Sequence, residues 1–173
     1  DQGLSTGNNA NIIYLDSYPR NINQQNFFDI IYTLSHEYQH LLHWNVDVCE
    51  GYFDWTDEDI IIQIENSGYN CTPHNKWLNE GLSDLIAGIM THEYRDYSYF
   101  LEDMNIPLDI WPDPSSGVSS LPYYANSALF LQHIYDFNGG GEKINQFFND
   151  SERQGLNSII YSFHSEISFN SIF

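Results

Sequence analysis

The stretch Leu34–Leu41 reads Leu-Ser-His-Glu-Tyr-Gln-His-Leu and contains the pattern His-Glu-x-x-His. Its two histidines, His36 and His40, are four residues apart, so on an α-helix both imidazoles leave the same face and can share one metal ion. Glu37 directly follows the first histidine, where it is badly placed as a further ligand but well placed as a base for a water molecule beside the metal. The pattern therefore predicts a helix that carries two zinc ligands and a general base.

Apolar residues accompany this motif at helical spacing. They are Phe27, Ile30, Ile31, Leu34, Tyr38, Leu41 and Leu42. A stripe of this period predicts that residues 27 to 44 form a buried amphipathic helix. Buried imidazoles and carboxylates need partners, which a metal ion supplies, and this favours a metal site over a pair of structural histidines.

The composition of the chain indicates one acidic domain. Its 173 residues include 24 acidic residues against five Lys and Arg, for a net charge of −19. Such a chain repels nucleic acid and anionic membrane surfaces, so we expect neither as a partner. No apolar run is long enough to span a bilayer, and no signal peptide is recognisable.

Beyond the motif, the sequence predicts one strand and several more helices. Residues 11 to 16, Asn-Ile-Ile-Tyr-Leu-Asp, form a short apolar run with β-branched side chains, which predicts a strand. Helical patterns occupy 75 to 92, 122 to 137, 142 to 149 and 154 to 164. The last residues read as the capped start of another helix, so we expect the natural chain to continue.

An acidic segment separates the first two predicted helices. Residues 45 to 75 carry seven acidic residues and no Lys or Arg. Within it Asp57-Glu58-Asp59 offers oxygen ligands for Ca²⁺, but the spacing is not that of an EF-hand loop, and we favour a solvated acidic turn. Cys49 and Cys71 are either two buried thiols or, in an exported protein, a disulfide, which we favour.

A catalytic zinc ion usually has a third protein ligand. The possible donors are His43, His74, Glu80, His92, His133 and His164. His43 is seven residues from His36, about 10.5 Å along a helix, so one ion can hardly reach both. Glu80 is the better choice because it lies on the second amphipathic helix, which can pack against the first. Asp84, one turn further on, can accept the second N–H of a ligand histidine.

Residues 77 to 84, Trp-Leu-Asn-Glu-Gly-Leu-Ser-Asp, downstream of His-Glu-Tyr-Gln-His, resemble the gluzincin clan of zinc peptidases. The pattern Asn-Glu-x-x-Ser-Asp is that of thermolysin, and the residues of both motifs more closely resemble those of hyicolysin-like peptidases. The resemblance implies that Glu80 is the third zinc ligand and that Asp84 supports His36. The interval between the two motifs is longer than usual in the clan, so we interpret 46 to 75 as an insertion.

Residues 124 to 131 resemble a Tyr-x-x-Gly-x-x-Phe helix of the same clan, with Ser127 at the usual Gly position. The resemblance implies that Tyr124 donates a hydrogen bond to the oxyanion that develops during hydrolysis. Tyr123 is the close rival for this role and His133 a distant one. The alternative is that both tyrosines are core residues.

The resemblance also implies a fold class. We expect an α+β zincin catalytic domain spanning 1 to 173, with an N-terminal strand layer over the active-site helix. Residues 1 to 45 would supply the strand and that helix, 46 to 75 the acidic insertion, and 76 to 173 a mostly helical part with the third ligand.

The function implied is that of a secreted, monomeric, zinc-dependent metalloendopeptidase acting on peptide or protein substrates, with Glu37 as general base. Two alternatives stay open. A zinc aminopeptidase would need an acidic subsite for the free amine of its substrate. A non-catalytic, zinc-containing binding module would have no need for Glu37.

Overall fold

The computed structural model describes residues 13, 27–46, 76–102, 104–150, 153 and 155–162, which contain six α-helices and one 3₁₀ turn. The helices are α1 Phe27–Val46, α2 Lys76–Thr91, α3 Ser98–Leu101, α4 Leu121–Phe137, α5 Gly140–Phe148 and α6 Leu156–Ser162, and the turn is Pro114–Ser116. Each of the five predicted helices begins and ends within two residues of its predicted limits. Among the described helices none is long and apolar enough to cross a membrane.

The predicted α+β fold class is wrong, because the described residues are helical and contain no strand. Of the predicted strand at 11 to 16, only Ile13 is described, and it belongs to neither helix nor strand. A short β-branched run fits a strand only where a neighbouring strand pairs with it, and the run itself does not specify that partner.

Several predictions fall outside the described residues. These are the acidic insertion, the pairing of Cys49 with Cys71, the Ca²⁺ ligands of 57 to 59, and the ligand candidates His74 and His164.

Helix α2 is the centre of the described structure. It packs against α1 on one side and α4 on the other, and 12 of its 16 residues are buried. The main apolar core lies on the α4 side and extends to α5 and α6. Its buried members are Trp77, Leu78, Leu82, Leu85, Phe130, Leu131, Ile134, Ile144, Phe147 and Ile159.

A glycine allows α2 and α4 to approach closely. A Cβ atom at Gly81 would lie 2.9 Å from both Leu131 Cδ1 and Ser127 Cβ, closer than real Cβ atoms come to their neighbours. Gly81 directly follows Glu80, so the close contact of the two helices also determines where the Glu80 carboxylate lies.

The buried face of α1 is polar, contrary to the predicted apolar stripe. His36, Gln39 and His43 are buried, whereas Phe27 and Tyr38 are about half exposed, at 50% and 52%. The reason lies in α2, which presents buried polar side chains to α1: Asn79, Glu80, Ser83 and Asp84. Hydrogen bonds between these two polar faces orient α1, and the spacing of apolar residues cannot predict such bonds.

Candidate metal centre

The structure brings together His36 and His40 from α1 with Glu80 from α2. The two Nε2 atoms are 3.0 Å apart, and Glu80 Oε2 lies 3.3 Å from that of His36 and 3.4 Å from that of His40. Ligands at the corners of a tetrahedron around a zinc ion are about 3.3–3.4 Å apart, given bond lengths of 2.0–2.1 Å. The three atoms, here called the triad, therefore have the size of one face of such a tetrahedron.

The hydrogen bonds on the far side of both rings orient them toward a shared cation. His36 Nδ1 lies 2.9 Å from Asp84 Oδ1, and His40 Nδ1 lies 2.9 Å from Asn79 Oδ1. Carboxylate and amide oxygens accept hydrogen bonds, so each Nδ1 carries a proton and each Nε2 of a neutral ring has a lone pair. Glu80 Oε2 is buried and has no hydrogen-bond partner among the described residues. Two lone pairs and an orphaned carboxylate oxygen around one point fit a metal ion.

The electrostatics of the triad also favour positive charge at its centre. Burial lowers the pKa of His36, but the hydrogen bond with Asp84 and the close Glu80 carboxylate outweigh it and raise the pKa to about 9. Burial raises the pKa of Glu80, but the interactions with His36 and His40 outweigh it and lower that pKa well below its usual range. The Glu80 carboxylate is therefore ionised at neutral pH and stabilises positive charge beside the two rings.

Asp84 is the hub of the surrounding hydrogen bonds, and its side chain is fully buried. Besides His36, it accepts a hydrogen bond from the hydroxyl of Tyr32 at 3.0 Å and one from Arg95 Nη2 at 2.7 Å on Oδ1. Arg95 Nε donates to the other oxygen, Oδ2. A buried carboxylate with this many donors is held in one place, and it holds the His36 ring in turn.

Sequence reasoning missed both Tyr32 and Arg95. Tyr32 lies four residues before His36 and so on the same helix face, which is a signal that could have found it. Arg95 follows the end of α2 and had no such signal, because its contact with Asp84 depends on the path of the chain after the helix.

The other proposed histidine ligands lie elsewhere. His43 is buried, with Nδ1 3.2 Å from Asn79 Oδ1 and its ring 4.9 Å from that of Phe148. His92 follows α2 with a left-handed φ of 59°. His133 packs against Phe137 on α4. Among the described residues, the group of metal-binding side chains contains none of these three.

Glu37 and Tyr124, the two predicted catalytic residues, lie in different settings. Glu37 is exposed to solvent on α1 next to His36. The Tyr124 ring is partly buried, with its centroid 6.3 Å from that of His36, and burial together with the nearby Glu80 charge raises the pKa of its phenol. Trp111 packs against both tyrosines, with its ring centroid 6.2 Å from that of the rival Tyr123 and 4.8 Å from that of Tyr124.

Comparisons with protein-family models, with curated proteins and with solved structures found no match for this chain. The class of protein is therefore inferred from the site itself.

Proposed function

We propose that this protein is a zinc-dependent metallopeptidase that hydrolyses internal peptide bonds, with Zn²⁺ bound by His36, His40 and Glu80. The observation that carries the proposal is the triad, whose edges of 3.0, 3.3 and 3.4 Å match a zinc coordination tetrahedron. Two imidazoles and one carboxylate are a donor set of catalytic zinc sites, whereas Ca²⁺ takes six to eight oxygen ligands. The resemblance of both motifs to gluzincins supports the same assignment.

A zinc ion held by His36, His40 and Glu80 would supply Lewis acidity and would lower the pKa of a bound water to about 7. The remaining steps belong to side chains of the protein. Glu37 accepts the proton of the attacking water and then passes it to the leaving amine. Its exposure beside His36 leaves it open to both water and substrate.

In this proposal Tyr124 stabilises the developing oxyanion. Because the pKa of its phenol is raised, the hydroxyl keeps its proton at neutral pH and can donate a hydrogen bond. Asp84 fixes the His36 ring so that Nε2 faces the centre of the triad.

The first test combines zinc analysis with cleavage of a peptide library blocked at the N-terminus. We expect one zinc per chain and cleavage that chelator abolishes and added zinc restores. Glu37→Gln should keep the zinc and lose turnover, because it removes the base alone. Glu80→Ala should lose both, because two ligands seldom retain zinc.

A matched control for the charge change is Glu142→Gln, an exposed position in the first turn of α5, which should behave like wild type. If zinc-loaded wild type cleaves no peptide, the protein is a binding module and the proposal is wrong. Cleavage of peptides with free N-termini alone would instead identify an aminopeptidase.

A further inference from the structure

Arg95 touches the site at two points with two different parts of its guanidinium group. Its N–H fork contacts both carboxylate oxygens of Asp84, with Nη2 2.7 Å from Oδ1 and Nε on Oδ2. Its flat face covers the ring of Tyr124, with Cζ 4.6 Å from the ring centroid. The side chain is only 21% exposed, so this is not a solvated surface cation.

The two partners of Arg95 belong to different helices and serve different halves of the site. Asp84, on α2, holds the Nδ1 of His36 at 2.9 Å. Tyr124, on α4, places its ring 6.3 Å from that of His36. Only a planar guanidinium can form a two-pronged bond with a carboxylate in its plane and still offer a face to an aromatic ring.

The charge of Arg95 has a second consequence. Asp84 is buried, and its other donors, Tyr32 and the Nδ1 of His36, are neutral groups when His36 is a metal ligand. Arg95 neutralises the carboxylate, so Asp84 can orient His36 without adding a net negative charge behind the metal.

We propose that Arg95 is a positioning residue that links the two halves of the site. It holds Asp84 behind His36, and it holds the Tyr124 phenol beside the triad. This inference rests on the proposed peptidase function. It predicts that loss of Arg95 affects zinc affinity through Asp84 and turnover through Tyr124.

The test is a double-mutant cycle of Arg95→Met and Tyr124→Phe. Arg95→Met keeps the length of the side chain and removes the fork and the charge, and we expect it to weaken zinc binding 10- to 100-fold, as loss of support for a ligand typically does. With zinc saturating, its kcat should fall about 10²-fold with KM little changed. Tyr124→Phe should lower kcat similarly and leave zinc affinity unchanged. The double variant should have nearly the kcat of Tyr124→Phe alone, because Arg95→Met lowers kcat by displacing the hydroxyl that Tyr124→Phe removes.

Arg153→Met is the matched control. Arg153 also pairs with an aspartate, Asp150, and covers a tyrosine ring, that of Tyr161 at 3.4 Å, but it lies between α5 and α6. Its loss should leave zinc affinity and kcat within about threefold of wild type. The visible absorption spectrum of the Co²⁺-loaded protein adds a readout independent of activity, and we expect it to change in Arg95→Met alone.

Three results would overturn the inference. They are unchanged zinc affinity and Co²⁺ spectrum in Arg95→Met, multiplicative losses of kcat in the double variant, and equal effects of Arg95→Met and Arg153→Met. If Arg95→Met does not fold, Arg95→Lys replaces it, since it keeps a cation over the ring and lacks the fork. That variant should bind zinc more weakly than wild type, and unchanged affinity would contradict the role of Arg95. If wild type cleaves no peptide, the proposed function fails, whereas zinc affinity and the Co²⁺ spectrum still test the link through Asp84.

Discussion

At the scale of single residues, the candidate site depends on which side-chain atoms already form hydrogen bonds and which remain to bind a metal. The Nδ1 atoms of His36 and His40 face Asp84 and Asn79, so the Nε2 atoms alone remain to meet Glu80. Side-chain identity is therefore only part of the chemistry, because the far-side hydrogen bonds determine which nitrogen can bind a metal.

Removing the hydroxyl group of Tyr124 or of Tyr123 tests which of the two tyrosines serves the oxyanion. Both rings contact Trp111, but the Tyr124 ring also lies beside His36, with centroids 6.3 Å apart. We expect Tyr124→Phe to lower kcat by roughly 10²–10³ while zinc content and most of KM stay unchanged, because the hydroxyl acts mainly on the transition state. Tyr123→Phe should be mild, and steady-state kinetics of both variants at saturating zinc provide the comparison. A large loss for Tyr123→Phe alone would show that the donor is the other tyrosine.

At the scale of helices, the crossing of α2 and α4 determines where Glu80 lies. Gly81 lies at the crossing, where a Cβ atom would be 2.9 Å from Ser127 Cβ and Leu131 Cδ1. The contact forms on the face of α2 next to Glu80, so a shift of the helix changes the geometry of the triad.

We expect Gly81→Ala to destabilise the protein by about 1–3 kcal/mol, the usual cost of overpacking, and to weaken zinc binding as well. Urea unfolding and zinc competition measure the two effects. Ser127→Gly removes one of the clashing carbons and by itself costs about 1 kcal/mol as a glycine within a helix. The double variant should therefore lose less stability than the sum of the two single changes. Strict additivity would mean that the helices do not meet at this point.

At the scale of the whole molecule, α1 is held differently from the other helices. The described buried residues of α1 are polar, namely His36, Gln39 and His43. Large apolar residues of the same helix, such as Phe28 and Leu42, are exposed. The α2, α4, α5 and α6 helices instead share the apolar core. A metal ion that joins His36 and His40 to Glu80 would thus cross-link α1 to the rest of the protein.

We expect chelation of zinc to lower the free energy of unfolding, by about 4 kcal/mol where free zinc had been 1,000 times its Kd. The loss should appear first as faster amide hydrogen exchange in α1, with α2 and α4 still protected, because none of the described members of the apolar core lies on α1. Hydrogen exchange followed by mass spectrometry measures this, and His36→Ala should no longer respond to zinc. Equal loss of protection in all helices would show that α1 is docked by other contacts.

The sequence by itself determined the local features of this protein. Periodicity located five of the six described α-helices to within two residues and missed Ser98–Leu101, and spacing identified His36 and His40 as neighbours on one helix face. These features depend on residues within one or two helical turns of each other, which is the range over which sequence patterns act directly. The motif also singled out Glu80 among the possible third ligands, through the helix on which it lies.

Only the tertiary structure decided the rest. The contacts of Asp84 with Tyr32 and His36 join residues 52 and 48 positions apart, and those with Arg95 depend on how the chain leaves α2. The polar buried face of α1 and the helical character of the described residues, where a strand layer was expected, likewise follow from which elements pack together. A run of residues specifies its own period but not its partner, and burial, pairing and the orientation of each donor are properties of the partner as much as of the run.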